Sequence, residues 1–558
     1  MKINIEELIN QFIKQKKQPV VTKKNKTKGH VLAFVVTAIF YVIIDYVTLP
    51  AYNLHSPGFL ILIAITIAIW ATLDQLFTFS SSKIARNAYG VTVLIFIVTF
   101  VLGLLSSEFL NASRFRDQIV IREIRSFSED FETVDLNRVP VVDKQTAIQL
   151  GGKQIGTVAS LGSQFYVHDD YTLITQEDSI YRLSALDYRD PIKWLNNRSE
   201  GIDRFVAVNV TNPNDVRLVE YPDGMRYTPG AYLNDNLMRK VRFNHRSAII
   251  GGYELEVDDD FNPYWVISVV EPEIGWFGGL SAKGVIILDP SNGESEYYEM
   301  EDIPDWVDRV QPSSIAWSQI DNWGYYVNGF FNTLFSQKDM LQTTDGYNYV
   351  SIGGQVYVYS GMTSVGSDSS IVGFALINLR TKEAIFYEVG GADEYAAMSS
   401  AQGQVQHLNY QATFPVLLNI GNVPTYFIAL KDQEGLVKMY SFVAVSNYDA
   451  VGVGESIQLA LTDYGTRLSE FNVIIDEPTL MESVTGTVAG VYSVIDEGDT
   501  IFYISLNEDP RLFKVIAKEN IEAIFTTIDD QIEVMFYESE NLVVDVVGFD
   551  HLGVNYTP

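Results

Sequence analysis

Three apolar runs stand near the start of the 558-residue chain: VLAFVVTAIFYVIIDYVTL (31–49), FLILIAITIAIWATLDQLFTF (59–79) and GVTVLIFIVTFVLGLLSSEFL (90–110). Each is close to the roughly 20 residues that a helix needs to cross a hydrocarbon core of about 30 Å. A helix satisfies its own backbone hydrogen bonds in lipid, so the runs predict three transmembrane helices. No comparable run follows residue 110, where the sequence is largely polar and acidic.

Lysine and arginine are distributed unequally around these runs. The segment before residue 31 holds eight lysines and two glutamates, the loop 50–58 holds no lysine or arginine, and the loop 80–89 holds Lys83 and Arg86. Positively charged loops stay in the cytoplasm. The sequence therefore predicts a cytoplasmic N-terminus and an extracytoplasmic region after residue 110. Apolar residues at helical spacing in the tail (Ile5, Leu8, Ile9, Phe12 and Ile13) indicate a short interfacial helix, and the alternative is a disordered lysine tail. The first run follows a long polar tail, so we expect an uncleaved anchor and not a signal peptide.

Charge and cysteine content exclude several classes of function. The chain carries a net charge of −31, and nearly all of the acidic excess lies after residue 105. Such a surface cannot bind nucleic acid through phosphate contacts. The chain contains no cysteine, which rules out disulfides and thiolate metal sites. An extracellular eukaryotic region of this length usually carries disulfides, so the composition favours a bacterial cell-envelope protein.

The fold class predicted from these patterns is α+β, with a β-rich ectodomain on three transmembrane helices. We divide the chain into six segments: a cytoplasmic basic tail (1–30), the three helices (31–110), a first α+β unit (111–230), hairpins with an aromatic helix (231–345), a second α+β unit (346–455) and a barrel (456–558).

Alternation of apolar and polar residues predicts most of the ectodomain to be strands. The clearest hairpins are at 252–270, 284–300 and 424–445. Helical patterns cover 142–161, 313–335 and 391–408. Asp143 is the predicted N-cap of the first of these helices, because its carboxylate can accept backbone N–H groups of the first turn.

Two of these helices have similar surroundings. DKQTAIQLGGKQIGTVA (143–159) precedes the hairpin at 171–186, and DEYAAMSSAQGQVQHLN (393–409) precedes the hairpin at 424–445. This order resembles PepSY-like modules, which are small α+β units of bacterial envelope proteins and protease propeptides. The segment 262–310 is similar to parts of uncharacterised membrane-anchored envelope proteins of Gram-positive bacteria. The resemblance implies tandem modules and carries no activity with it.

The C-terminal segment 482–552 predicts five strands, with a helix at 520–528 between the third and the fourth. That order is typical of an OB-fold barrel. Such barrels often bind single strands or sugars on aromatic side chains. Here Arg511, Lys514 and Lys518 are the only basic residues after residue 500, so we expect a role in protein contact or packing.

Catalytic and metal-binding motifs are missing from the sequence. The six histidines are scattered, and neither a P-loop nor a nucleophile elbow occurs. Asp258, Asp260 and Asn262 match the start of a calcium loop, but Pro263 and Val269 stand where that loop needs Gly and Glu. We therefore predict a hairpin turn at this place and assign no catalytic residue, cofactor or metal.

Aromatic residues are dense in the segment 303–335. The candidate partner-contact residues are Trp306, Trp317, Trp323, Tyr325 and Phe331. A helix that packs on one sheet needs a single apolar stripe, and this segment is apolar around most of its circumference. The favoured interpretation is a wedge between two domains. The alternative is an aromatic face for a partner or for the membrane surface, where Trp and Tyr are enriched.

Three functions are compatible with these patterns. The favoured one is a membrane-anchored, extracytoplasmic scaffold or adaptor that binds other cell-envelope proteins. The first alternative is a PepSY-like module that binds a peptide or a protease, and the second is a hydrolase without a recognisable motif. The predicted partners are the cell membrane and envelope proteins or peptides, nucleic acid is excluded, and the oligomeric state is open.

Overall fold

The computed structural model describes residues 23–79, 82–124, 127, 139–176, 179–352, 355–366, 370–471, 481–496, 499–507, 509–518, 520–537 and 542–553. The lysine-rich tail before residue 23, with its predicted interfacial helix, lies outside these residues. Among the described residues, three helices are long and apolar enough to cross a membrane. They are α1 (Lys23–Thr48), α2 (Pro57–Thr78) and α3 (Lys83–Leu105). The three predicted helices are confirmed.

The third helix differs from the predicted run at both ends. Ser82 caps α3 by accepting a hydrogen bond from the backbone N–H of Ala85, so the helix begins before the apolar run. It ends at Leu105 because the hydroxyls of Ser106 and Ser107 turn back to backbone carbonyls of its last turn. A separate helix, α4 (Glu108–Arg116), follows. The strand β1 (Ile121–Ile124) comes next.

Four units of one topology follow in the part of the chain that the structure describes. Each consists of a helix and then a sheet whose four strands pair in chain order, all antiparallel. In units 1, 3 and 4 the first strand is broken in two, and both pieces pair with the second strand. We call the four units together the ring.

Unit 1 contains α5 (Lys144–Gly156), α6 (Ala159–Gly162), β2 (Phe165–Val167), β3 (Thr172–Gln176), β4 (Ser179–Tyr188), α7 (Pro191–Asn197), β5 (Ile202–Asn209) and β6 (Val216–Met225). Unit 2 contains α8 (Leu237–Asn244), β7 (Ile250–Val257), β8 (Pro263–Ile274), β9 (Gly278–Leu288) and β10 (Ser295–Glu299). The predicted hairpins of this segment are confirmed.

Unit 3 contains α9 (Ser313–Tyr325), α10 (Phe330–Leu334), β11 (Leu341–Thr343), β12 (Asn348–Ile352), β13 (Gln355–Ser364), β14 (Ser370–Ile371), β15 (Gly373–Asn378) and β16 (Ala384–Tyr387). Its predicted helix is divided, because Gly329 has a φ of 80° and separates α10 from α9. The strand β1 adds to this sheet, parallel to β16.

Unit 4 contains β17 (Gly391–Ala392), α11 (Glu394–Gln404), β18 (Gln411–Ala412), β19 (Val416–Ile420), β20 (Val423–Lys431), β21 (Val437–Ala444) and β22 (Val451–Gly454). The helix α12 (Ile457–Glu470) covers this sheet, where the Tyr464 hydroxyl lies 2.8 Å from the Thr425 hydroxyl.

The helices of units 1 and 4 begin in the same way. Asp143 and Asp393 have extended backbones and accept N–H groups of the first turn, at Thr146 and Ala396. The predicted N-cap Asp143 is confirmed. Small buried residues follow in both helices, and they let each helix lie close to a sheet. At Gly151 a Cβ atom would lie 2.2 Å from the Tyr171 hydroxyl, so this position of α5 has no room for a side chain.

Each helix of the ring lies between the sheet of its own unit and the sheet of the preceding one. Leu237 of α8 belongs to one apolar core with both sheets. In α9, Ile320 packs on unit 3 while the Gln319 amide donates to Leu280 O of unit 2. Ala397 of α11 packs among side chains of units 3 and 4.

The ring closes at α5. This helix packs on the sheet of unit 1, and its N-cap Asp143 forms an ion pair with Lys431 of unit 4 at 2.6 Å. The junction between units 4 and 1 is therefore the seam of the ring, where no linker of the chain joins the two units.

A closed barrel of five strands forms the C-terminal region. Its strands are β23 (Met481–Asp496), β24 (Asp499–Leu506), β25 (Leu512–Ile516), β26 (Gln531–Tyr537) and β27 (Val543–His551). A short 3₁₀ helix (Ile521–Phe525) lies between the third and fourth strands. The predicted five-stranded barrel is confirmed, including the place of its helix.

The ring is fixed to the three apolar helices by specific contacts. Arg246, just after α8, pairs with Asp45 of α1 at 2.9 Å. The β8–β9 hairpin rests on the end of α3, since Ser106 Oγ accepts the backbone N–H groups of Trp276 and Phe277. The loop between α1 and α2 also touches the ring, where the Trp276 indole donates to Leu54 O at 2.8 Å.

Candidate binding cleft between the four units

A cleft of ≈ 800 Å³ opens between the units of the ring. Side chains of all four units line it, among them Tyr171 and Arg182 of unit 1, Glu254 of unit 2, Arg309 and Tyr349 of the unit 3 region, and Phe414 of unit 4. This volume falls in the range of roughly 300–1,000 Å³ that is usual for ligand pockets.

Arg182 of β4 is a buried cation that forms no ion pair among the described residues. It is 5 % exposed, and its Nε donates to Val142 O at 3.1 Å. Burial lowers the pKa of Arg182 to about 10, so the guanidinium is still charged at neutral pH. Among the described residues, its two terminal nitrogens donate to no protein group, and no carboxylate forms an ion pair with it.

The acidic side chains of the cleft are already neutralised by other cations. The pairs are Asp143 with Lys431, Asp170 with Lys144, and Glu254 with Arg309. Arg182 is therefore left without an ion pair in the described part of a chain of net charge −31. A buried charge without a partner is costly, and an anionic group from a ligand would remove that cost.

Arg309 lies in the stretch before α9 and supports the same side of the cleft. Its Nη1 donates to Glu254 Oε1 at 3.1 Å, and its guanidinium lies 4.2 Å from the centre of the Tyr349 ring. Its Nε and Nη2 are buried and have no hydrogen-bond partner among the described residues. A planar guanidinium of this kind is suited to bind a carboxylate or a phosphate.

Tyrosine side chains form much of the wall. The Tyr171 hydroxyl is buried without a hydrogen-bond partner in the described part of the chain, and burial raises the pKa of this group. The hydroxyl of Tyr349 lies 3.0 Å from that of Ser313. Tyrosine offers both an apolar face and a polar tip, which suits the binding of extended peptide or of small polar ligands.

A buried acidic pair lies behind the cleft. Glu256 of β7 is 0 % exposed and accepts the backbone N–H groups of Asp308 and Arg309. Burial, with a contribution from Asp308, raises the pKa of Glu256. Burial also raises the pKa of Asp308 to about 6, although Thr175 N–H donates to its carboxylate. These groups position Arg309 and do not face the cleft.

The five candidate partner-contact residues lie outside the cleft. Trp306 packs on Tyr264, Trp317 on Tyr347, and Trp323 on Phe386, while the Tyr325 hydroxyl donates to Gln342. Phe331 differs from these four, because 60 % of its surface is exposed. Their contact with a partner stays a prediction.

The turn at Asp258 is a hairpin turn, as predicted. Its Oδ1 accepts the backbone N–H groups of Asp260 and Asn262, so the carboxylate is used within the turn itself. Within the described residues, no group of three or more His, Asp or Glu side chains is placed to hold a metal ion.

The sequence patterns did not indicate the cleft. Arg182 stands between Tyr181 and Leu183 in a buried strand, and a charged residue at an inward position of such a run is a usable signal. The grouping of that arginine with Arg309 and Phe414 depends on closure of the ring, which no local pattern records. No protein-family model matches the chain, and no curated protein matches it.

Proposed function

We propose that this protein is a membrane-anchored adaptor on the extracytoplasmic side, and that its ring binds a carboxylate-bearing peptide segment of another envelope protein in the cleft. The observation that carries this proposal is Arg182, a buried guanidinium whose terminal nitrogens have no partner in the described chain. A carboxylate would supply the missing counter-ion and accept both terminal N–H groups.

The surroundings of Arg182 support a peptide as the ligand. The tyrosine-rich wall can pack against side chains, and the volume of the cleft holds a short segment. The acidic surface elsewhere repels acidic peptides, so binding depends on this one place. The helix-then-sheet order of the four units also supports their description as PepSY-like modules, which belongs to the same proposal.

The extracytoplasmic location rests on the lysine distribution and on the contacts of the first loop. That loop touches the ring at Arg246 and Trp276, so both lie on one side of the bilayer. The lysine-rich tail is then on the other side, which is cytoplasmic by the positive-inside rule. A reporter that works only outside the cytoplasm should be active after Pro558 and inactive after Ser82. The opposite pattern would overturn the location.

Binding in the cleft is tested with the full-length protein in nanodiscs. Short acidic peptides, and the same peptides with Gln in place of Glu and an amidated C-terminus, serve as probes. We expect the acidic peptides to bind more tightly than the neutral ones. Arg182→Gln should reduce the ratio of their affinities at least tenfold, which corresponds to about 1.4 kcal/mol. The control is Arg204→Gln, which changes an arginine of the same sheet that pairs with Glu220 outside the cleft.

Two results would contradict the proposal. One is equal binding of the acidic and neutral peptides. The other is an equal loss in the Arg182 and Arg204 variants, which would assign the effect to the stability of the sheet. Melting temperatures of both variants are measured beside binding, so that an unfolded variant is recognised.

A further inference from the structure

A group of exposed apolar side chains lies beside the end of the third spanning helix. Its members and their exposed fractions are Phe109 (47 %), Leu110 (51 %), Phe331 (60 %), Leu334 (60 %) and Phe335 (79 %). The rings form one continuous surface, with centroids 5.9 Å apart for Phe109 and Phe331, and 6.3 Å apart for Phe331 and Phe335. We call this group the aromatic foot.

The height of the aromatic foot above the spanning helices is set by the fold. α4 begins three residues after α3 ends, so Phe109 is four residues along the chain from Leu105. The Tyr326 hydroxyl donates to Glu108 at 3.0 Å, and Tyr326 shares a small apolar core with Phe115 and Ile274. The aromatic foot therefore cannot move away from the end of α3 without breaking buried contacts.

A second apolar group lies on the ring where it meets the first spanning helix. Its members are Ile192 (68 % exposed), Leu195 (60 %) and Leu233 (57 %). Trp194 packs on Tyr232, which joins α7 to this group. The next residue, Asn234, accepts a hydrogen bond from the hydroxyl of Tyr46 near the end of α1. Both groups thus lie next to residues at the ring-side ends of the spans.

Basic side chains lie beside the end of α1. Arg239 and Lys240 of α8 and Arg246 after it are partly exposed, in a chain that is acidic overall. The Arg239 guanidinium lies 4.2 Å from the centre of the Tyr46 ring, at the end of α1. Aromatic and aliphatic side chains beside arginine and lysine are the usual composition of a surface at the level of lipid headgroups.

We propose that the aromatic foot, together with the smaller group at Leu195, inserts into the lipid interface on the ring side of the membrane. The occupant is the bilayer itself, because both groups continue the surface of helices that cross it. The ring is then held by two lipid contacts, one beside the end of α3 and one beside the end of α1. This inference does not depend on what binds in the cleft.

The test uses single cysteines, since the chain has none of its own. Phe335→Cys in the full-length protein is labelled with bimane and placed in nanodiscs of phosphatidylcholine and phosphatidylglycerol that contain a lipid with a nitroxide near its headgroup. Ile495→Cys is the matched control, because Ile495 is 78 % exposed on the C-terminal barrel. Ile97→Cys in α3, 53 % exposed, is the control for a lipid-facing site.

We expect the nitroxide lipid to quench bimane at Phe335→Cys about twofold or more above Ile495→Cys, and Leu195→Cys to behave like Phe335→Cys. Only the purified chain and lipid are present, so a protein partner cannot produce this result. Quenching at Phe335→Cys that does not exceed quenching at Ile495→Cys, while Ile97→Cys is quenched, would overturn the proposal. Unchanged melting temperatures confirm that the substitutions at these exposed sites leave the fold intact.

Discussion

Two junctions of the ring hold neighbouring units together in different ways. Between units 2 and 3 the chain is continuous, and the buried carboxylate of Glu256 accepts two backbone N–H groups of the connecting stretch, at Asp308 and Arg309. At the seam between units 4 and 1 no linker is available, and the ion pair of Lys431 with Asp143 spans the gap at 2.6 Å. We call the junction between units 2 and 3 the linked junction. Its acidic side chains are buried, whereas the ion pair at the seam is partly exposed to solvent.

The difference gives the two junctions opposite responses to acid. Burial raises the pKa of Asp308 to about 6, so protonation favours the folded linked junction. Although burial opposes it, Lys431 and Thr146 lower the pKa of Asp143, so protonation weakens the seam. The chain itself holds units 2 and 3 together and, among the described residues, the acids buried there are not all paired with cations. Units 4 and 1 are held only by side-chain contacts, and there Asp143 is paired with Lys431.

The largest effect is expected when the buried acceptor of the linked junction is removed. Glu256→Ala leaves the two buried N–H groups of Asp308 and Arg309 without a partner. We expect the free energy of unfolding to fall by about 3–5 kcal/mol. Denaturant or thermal unfolding of the full-length protein in nanodiscs measures this change. The control Glu271→Ala removes the half-exposed partner of Lys283 and should cost about 0–1 kcal/mol. Equal losses would show that the buried acceptor has no special role.

Much of this architecture could be predicted from local sequence patterns. The spans, the Asp143 cap, the hairpins and the barrel all depend on periodicity, turn residues and length, which a single segment displays. The pattern also related units 1 and 4, because both have helices of small residues. It did not relate their helices to those of units 2 and 3, which are basic (α8) and aromatic (α9), since topology can repeat while side-chain chemistry differs.

The cleft and the seam could not be predicted for a different reason. Asp143 and Lys431 are 288 residues apart in the chain, and Arg182 meets Phe414 in the cleft only because four sheets close into a ring. The sequence of a single strand or helix does not indicate which distant side chain will lie next to it in the fold. A buried arginine in a strand can be noticed, but its partners cannot.

The second prediction concerns the helix that fills the linked junction. Trp317→Ala and Trp323→Ala each remove a half-buried ring of α9 that packs on Tyr347 or Phe386. We expect each to lower the free energy of unfolding by about 2–4 kcal/mol, somewhat less than a fully buried site would lose. Phe331→Ala is the control and should change stability by about 0.5 kcal/mol or less, because Phe331 is 60 % exposed.

The result separates the two interpretations of the aromatic segment. Loss of stability identifies α9 as a wedge between units 2 and 3. Variants of normal stability that no longer recover partners from cross-linked membranes would instead identify Trp317 and Trp323 as partner contacts.

The third prediction tests the response of the linked junction to pH. The pKa of Asp308 is about 6 in the folded protein and about 3.9 in the unfolded chain. Below about pH 4 both states are protonated and the group has no effect, whereas above about pH 6 the folded state is destabilised by a buried charge. Asp308→Asn should therefore be neutral near pH 4 and stabilise by about 2–3 kcal/mol at pH 7. A constant difference in melting temperature between these two pH values would contradict the assignment.

The smallest effect is expected at the seam. Lys431→Met keeps the length of the side chain and removes its charge, so Asp143 loses its ion pair but keeps its hydrogen bond from the Thr146 N–H. The Asp143 side chain is 24 % exposed, so water can replace part of the lost contact. We therefore expect the free energy of unfolding to fall by about 1–2 kcal/mol at pH 7. The pKa of Asp143 is lowered in the folded state, so the pair contributes above the unfolded pKa of about 3.9 and its contribution is lost as the pH falls below that value. The difference in free energy of unfolding between wild type and variant should accordingly shrink in acid. The trend for Asp308→Asn has the same pH direction but the opposite sign of effect on stability.

The matched control is Lys438→Met in the next strand, whose pair with Asp432 is 3.7 Å long and half-exposed. If both lysine variants lose the same stability, the seam is closed by apolar packing alone and the ion pair does not distinguish it from the surface.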